Sequence, residues 1–295
     1  MSDRLSVLVT GATGNQGGAL ARLLLSRGHR VRGLTRKPES AAARKLKALG
    51  AEIATGDMED RGSLAHAASG MDAFFCVSTP FDSGGPATEV RQGINMADAA
   101  KFSEVKHLVY MSVPKADTHT GIPHFESKAQ VERHIQSLGI PWTVIGPTMF
   151  MENFLGPYFH PELLEGRFAI AISPGCKLQL ICLDDIAGFA ALVLEQRERF
   201  LGRRIDIASD ERTPPEIADI LARAAGRQIR YQRTPLEQVR AWSKDMALMF
   251  EWFDRTGTGI DIARLHREYP EVAWHDLRQW AEAQSWDVLT HGAAS

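Results

Sequence analysis

The run Leu5-Ser6-Val7-Leu8-Val9-Thr10-Gly11-Ala12-Thr13-Gly14-Asn15-Gln16-Gly17-Gly18 sets an apolar segment directly against four glycines and a helical pattern. The apolar segment predicts a buried strand, and Asn15–Ser26 predicts the helix that follows. Between them Gly11, Gly14 and Gly17 recur at intervals of three. Glycine there permits a tight turn with positive φ, lets backbone approach a pyrophosphate, and lets helix and strand pack closely. The helix N-terminus then faces the loop with unpaired N–H groups and the positive end of its dipole. A strand–glycine loop–helix unit of this kind reads as a dinucleotide site.

The pattern outward from this unit repeats it. Strands are expected near Leu5–Thr10, Val31–Thr35, Ala51–Ala54, Ala73–Ser78, His107–Ser112 and Trp142–Ile145. Helices are expected at Asn15–Ser26, Ala41–Leu49, Gly62–Ala68, Thr88–Phe102 and Glu126–Leu138. Most of these strands lack polar alternation, as when helices cover both sheet faces. The fold class is therefore α/β, a Rossmann-type doubly wound parallel sheet, with a smaller α+β C-terminal region. The expected domains are residues 1–152 for nucleotide binding and 153–295 as a region covering the nicotinamide cleft. Parts of 178–208 are candidates to return to the main sheet. Trp274, Trp280 and Trp286, six apart, are read as core around an amphipathic helix.

A chain of 295 residues with 44 % hydrophobic residues and a formal charge of -2 lacks the excess positive charge that phosphate-backbone binding requires. Nucleic acid is excluded as a direct partner, and no apolar run suits a membrane span. Cys76, Cys176 and Cys182 are unclustered, which fits a reducing cytoplasm and gives neither a disulfide framework nor a zinc motif. His119 and His124, five apart, have no carboxylate at ligand spacing, so no metal site is expected.

The end of the second strand selects among dinucleotides. NAD-selective sites place an acidic residue there for the ribose hydroxyls, whereas this chain has Thr35-Arg36-Lys37. An arginine fork suits a 2′-phosphate, so NADP(H) is preferred over NAD(H). The first fifty residues carry ten Lys/Arg against two Asp/Glu, which also favours a polyanion. The turn Gly56-Asp57-Met58 stands where an adenine ring would lie. Asp57 reads equally well as a cap on the next helix.

Taken in order, Thr10–Gly18, Arg36, Gly56-Asp57, Ser112, His124-Phe125-Glu126-Ser127-Lys128 and Phe150-Met151-Glu152-Asn153-Phe154 resemble the NmrA-like family of atypical short-chain dehydrogenases/reductases, and especially its HSCARG-like NADPH-sensor branch. The resemblance implies that Gly11, Thr13, Gly14, Asn15, Gln16 and Gly17 hold the pyrophosphate, and Arg36 and Lys37 the 2′-phosphate. It places Asp57 and Met58 against adenine, Thr79 and Phe81 along the cofactor, and Lys128 at the nicotinamide ribose. Pro147, Phe150 and Asn153 are expected to close the nicotinamide end.

One departure bears on catalysis. Short-chain dehydrogenases carry Tyr-x-x-x-Lys, in which the phenol exchanges the substrate proton; here the tyrosine position is His124. One helical turn separates it from Lys128, so both side chains point to one place. The lysine cation disfavours a second positive charge beside it, which makes His124 a poor proton donor to an alkoxide. Ser112 matches the serine that orients a carbonyl. Lys128, Ser112 and His124 are the candidate catalytic set, and carbonyl reduction is disfavoured. The sequence reading is a redox-responsive regulator binding NADP(H), with a regulatory protein and a homodimer as candidate partners. The alternative is a reductase of a quinone, azo or dye-like acceptor. Met149, Met151, Met246 and Met249 read as core filling, and Tyr158 as an alternative acid.

Overall fold

The computed structural model describes residues 4–79 and 84–289. The chain divides into two compact units, residues 1–146 with 186–206, and residues 147–185 with 207–295. The sequence expectation had set the division after Glu152. In the structure it falls after Gly146, and the returning segment is 186–206.

The first unit alternates strand and helix: β1 (Ser6–Val9), α1 (Asn15–Ser26), β2 (Arg30–Thr35), α2 (Ala41–Ala48), β3 (Glu52–Thr55), α3 (Arg61–Ala68), β4 (Ala73–Cys76), α4 (Gly85–Phe102), β5 (His107–Met111), α5 (Pro123–Ser137) and β6 (Trp142–Pro147). β1, β4 and β5 are buried at every position, which is why their sequences run apolar without alternation. β1 runs parallel to β2 and β4, β2 to β3, β4 to β5, and β5 to β6. The helices begin where polar residues can cap them: Ser40 accepts the Ala43 N–H for α2, and Asp60 the Gly62 N–H for α3. α5 starts at Pro123, earlier than the expected Glu126, because proline at the first helical position costs no hydrogen bond. His124 consequently sits in its first turn.

Beyond Pro147 come β7 (Met149–Phe150), α6 (His160–Leu164), β8 (Arg167–Ile170), β9 (Leu178–Ile181), α7 (Leu183–Glu195), α8 (Arg197–Phe200) and β10 (Arg203–Ile207). β10 joins the large sheet beside β6, giving the order β10-β6-β5-β4-β1-β2-β3. The direction of strand addition reverses between β1 and β4, and ligands of open α/β sheets bind beyond the carboxyl ends of the strands at that reversal.

The second unit continues with β11 (Asp210–Arg212), α9 (Pro214–Ala224), β12 (Arg230–Arg233), α10 (Leu236–Trp242), α11 (Lys244–Arg255), α12 (Ile262–Glu268) and α13 (Leu277–Glu282). It holds a three-stranded sheet, β11-β9-β7, and a parallel pair, β12-β8. Phe154, Phe168, Leu163, Leu221, Leu277, Trp280 and Trp286 share its buried core, so two of the three spaced tryptophans are core as expected, whereas Trp274 is half-buried outside that cluster and stacks on His266. Met151 is fully buried there, and Met149, Met246 and Met249 pack against it. Asp276 and Gln279 cap α13 reciprocally, at 2.8 and 2.9 Å. Among the described residues no helix is long and apolar enough to cross a membrane.

Candidate functional site

The glycine loop leaves β1 at the strand-order reversal. Thr10 ties it to the segment after β4, its hydroxyl accepting the Val77 N–H at 2.8 Å and reaching the Val77 carbonyl at 3.1 Å. Gly11 has φ +61°, the left-handed region that favours glycine. A Cβ on Gly17 would lie 2.4 Å from the Thr10 carbonyl oxygen and 2.5 Å from that of Gly11, so only glycine lets α1 start this close to the loop. Gly14 occupies the N-cap of α1 with no side-chain cap. Thr13, Gly14 and Asn15 are exposed, while Gln16 is half-buried and its Oε1 is buried with no hydrogen-bond partner.

Arg36 and Lys37 stand exposed just beyond β2. After β3, the Asp57 carboxylate accepts the Glu59 N–H at 3.0 Å, and its backbone N–H donates to Ser63 Oγ at 3.0 Å. Asp57 thus shapes the turn, and the helix cap belongs to Asp60. The half-buried Met58 packs against the core, its carbonyl accepting Asn95 Nδ2 at 3.0 Å. Thr79 is half-buried after β4, and Phe81 lies outside the described residues. Pro147 and Phe150 belong to the second unit with the exposed Asn153. Tyr158, in that unit, stacks edge-on against Phe159 at 4.7 Å.

The turn from His124 to Lys128 is buried, at 5 and 4 % exposure. The Lys128 ammonium meets four oxygens: Glu89 Oε1 at 2.9 Å, the Ser78 carbonyl at 2.9 Å, the Met111 carbonyl at 3.0 Å and Ser78 Oγ at 3.4 Å. An ammonium has three protons, so this set already employs all of them. It joins the ends of β4 and β5 to α4. Glu89 is fully buried, and its other oxygen accepts Ser127 Oγ at 2.5 Å. The lysine one turn from His124 is thus paired with a carboxylate. His124 packs edge-on against Phe125 at 4.9 Å.

Ser112 is buried and donates to Glu132, one turn beyond Lys128 on α5. Burial pushes the Glu132 carboxyl up, and Arg204 opposes that push through a 2.9 Å contact. Arg204 itself comes from β10, donates to the Val113 carbonyl at 2.7 Å, and pairs with Asp206. Tyr110 is buried beside the lysine, its ring centroid 5.2 Å from Nζ. Burial and the Glu89 charge both raise its phenol, so it is no ready substitute acid.

The close approach of α4 and α5 has a steric basis. A Cβ on Gly93, one turn beyond Glu89, would lie 2.4 Å from Val131 Cγ2.

With this geometry in place, the NmrA-like family model matches residues 3–282. The chain belongs to the NmrA-like family. Among curated NmrA-like proteins it is similar to the oxidoreductase lnaB of Aspergillus flavus, 30 % identical over 89 % of this chain and 90 % of that protein. It is also 30 % identical to an NAD(P)H azoreductase of Xenophilus azovorans, over 79 % of each chain. Two solved structures share the fold at a TM-score of 0.79. One is NmrA, a negative transcriptional regulator in complex with NADP, 19 % identical over 95 % of each chain. The other is the triphenylmethane reductase of Citrobacter sp. complexed with NADP(H), 20 % identical over 95 % of this chain and 100 % of that one.

In this NmrA-like chain the sequence reading found Lys128, Ser112 and His124 but missed Glu89 and Glu132, which take up the first two, and Arg204, which pairs with Glu132. Only Glu132, one turn from Lys128, carried a local signal.

Proposed function

We propose that this chain binds NADP(H) at the carboxyl ends of β1 and β2 and transfers hydride to an acceptor that needs no proton from a protein acid. A quinone, an azo compound or a carbocationic dye is such an acceptor. The residues fit a dinucleotide: the loop is exposed, glycine is sterically required at 17, and the α1 start has no side-chain cap. Gly11, Thr13, Gly14, Asn15, Gln16 and Gly17 would hold the pyrophosphate, with Asp57, Met58 and Thr79 along the adenosine and ribose path. Arg36 and Lys37 would hold a 2′-phosphate. The cofactor, when bound, supplies the hydride.

The observation that carries the choice of acceptor is the commitment of the retained dehydrogenase residues. Lys128 forms an ion pair with Glu89 and donates into Ser78 and Met111, Ser112 donates into Glu132, and a histidine stands where the phenol would be. This chain's residues therefore position and insulate without relaying a proton to an alkoxide. The azoreductase and oxidoreductase relatives move the weight toward catalysis.

A second reading, a regulator of the NADPH-sensor kind, is favoured by the same internal satisfaction and by the fold shared with NmrA. One experiment separates them: calorimetric titration of wild type and Arg36→Ala with NADPH and NADH, then an acceptor screen with a quinone, an azo dye and a triphenylmethane dye. Losing a charge-assisted contact worth about 1.5–3 kcal/mol should weaken NADPH binding roughly ten- to hundredfold and leave NADH unchanged. Steady NADPH oxidation with any acceptor supports the reductase, and tight binding without turnover supports the sensor. No NADPH binding sinks both.

A further inference from the structure

In the second unit, outside every residue assigned above, three donor atoms converge. Cys182 follows β9, Asp185 lies in the first turn of α7, and His275 precedes α13. Their ligand atoms all lie within 4.8 Å of one another. His275 Nδ1 is 2.6 Å from Asp185 Oδ1 and 3.8 Å from Cys182 Sγ, while the His275 backbone N–H donates to Asp185 Oδ2 at 3.1 Å. Asp185 and Cys182 are buried at 1 and 3 % exposure, and the half-exposed His275 side chain forms the open side.

Two features make this more than a hydrogen-bonded trio. Both side chains approach the same ring nitrogen, which has one in-plane position. It can hold a proton for Asp185 or a lone pair for the thiol, but not both. For the same reason the trio is not a nucleophile relay, since a relay needs one group on each nitrogen. The surroundings also leave polar atoms without partners. Asp185 and the nearby Glu152 have no lysine or arginine partner among the described residues, and Glu152 Oε2 is buried without a hydrogen bond. His266, stacked on Trp274 at 5.0 Å and lying in the field of Asp185, likewise has a buried Nε2 without a partner.

We infer that Cys182, Asp185 and His275 form a binding site for a borderline divalent cation, zinc above all, with a fourth position open to water. Mixed sulfur, nitrogen and oxygen donors select zinc over magnesium or calcium. Binding breaks the Cys182 S–H bond and forms the sulfur–metal bond, the thiol proton passing to solvent. The imidazole proton resides on Nε2, leaving Nδ1 to the metal. Glu152 and His266 stand outside the ligand set.

The test uses the full chain and no cofactor, so it stands apart from the NADP(H) reading. Metal-free protein titrated with Co²⁺ should bind one equivalent and develop a near-ultraviolet thiolate-to-cobalt charge-transfer band, which Zn²⁺ then abolishes by displacement. Cys182→Ser should lose the band, and His275→Ala should weaken binding at least about tenfold. Circular dichroism melts of both variants establish that they are folded. Absence of the band in wild type, or its survival in folded Cys182→Ser, overturns the site.

Discussion

The glycine loop after β1 and the lysine cluster behind α5 both lie toward the carboxyl ends of one parallel sheet, yet they treat their polar groups in opposite ways. The loop leaves Thr13, Gly14 and Asn15 exposed and a helix start without a side-chain cap. The cluster buries Lys128, Glu89, Ser127, Ser112 and Glu132 and pairs each with a group of the same chain, Glu89 Oε1 facing the ammonium as an ion pair. A surface that keeps donors unspent is built to receive something. A cluster that spends its donors internally holds elements in place. The residues most like a dehydrogenase's catalytic set fall in the second class.

The largest test of that contrast is Lys128→Met, which strands Glu89 as a buried unpaired charge. A loss of about 3–5 kcal/mol in urea unfolding is expected. Adding Glu89→Leu should recover most of it, because replacing both members of a buried pair by apolar groups is far milder than breaking it. If Lys128→Met unfolds like wild type, the cluster is not structural.

A buried polar group without charge provides the next measure. His107, at the start of β5, bonds Thr143 Oγ1 at 2.8 Å, and burial lowers its pKa from 6.5 to about 4. The unfolded chain therefore takes up a proton that the native chain refuses. This stability is complete above pH 6.5 and is lost as pH falls through about 4, a loss of about 3 kcal/mol in all. Stability measured from pH 7 to 4 should fall less steeply in His107→Gln, and an unchanged slope would remove the histidine from the account.

On the loop side, Gly17→Ala forces a methyl against the Thr10 and Gly11 carbonyls. Overpacking of this kind costs about 1–3 kcal/mol, and the displaced α1 start should also abolish measurable NADPH binding. Retained affinity would mean that the loop is not the binding surface. The smallest effect sharpens the contrast: Ser40→Ala removes the α2 cap and should cost about 1 kcal/mol in melting while leaving NADPH affinity unchanged.

How much could be read beforehand follows the same division. The six strands and their helices were legible because a doubly covered parallel sheet writes its strands as short apolar runs, and capping residues mark the helix starts. The loop was legible because glycine spacing is local. The wider network was not, since Glu89, the partner of Lys128, stands on a different helix, and Arg204, the partner of Glu132, arrives from β10 after a long excursion. Cys182 and Asp185 are three residues apart, but His275 joins them from 90 residues away, so the cluster has no contiguous motif. β10 shows a partial reading of the fold: the return of part of 178–208 to the main sheet is expected from sequence, whereas the place beside β6 depends on tertiary packing.

Gly93 carries a consequence for anyone redesigning the cluster. Because a Cβ there would meet Val131 at 2.4 Å, the distance between α4 and α5 is set by a residue with no side chain, and that distance brings Glu89 to the lysine. A methyl at 93 would act as a wedge, prising the carboxylate from the ammonium without touching either. In a saturation library, position 93 should tolerate as little as position 128. An engineer wanting the lysine free to meet a substrate would begin at this hydrogen atom rather than at the charges.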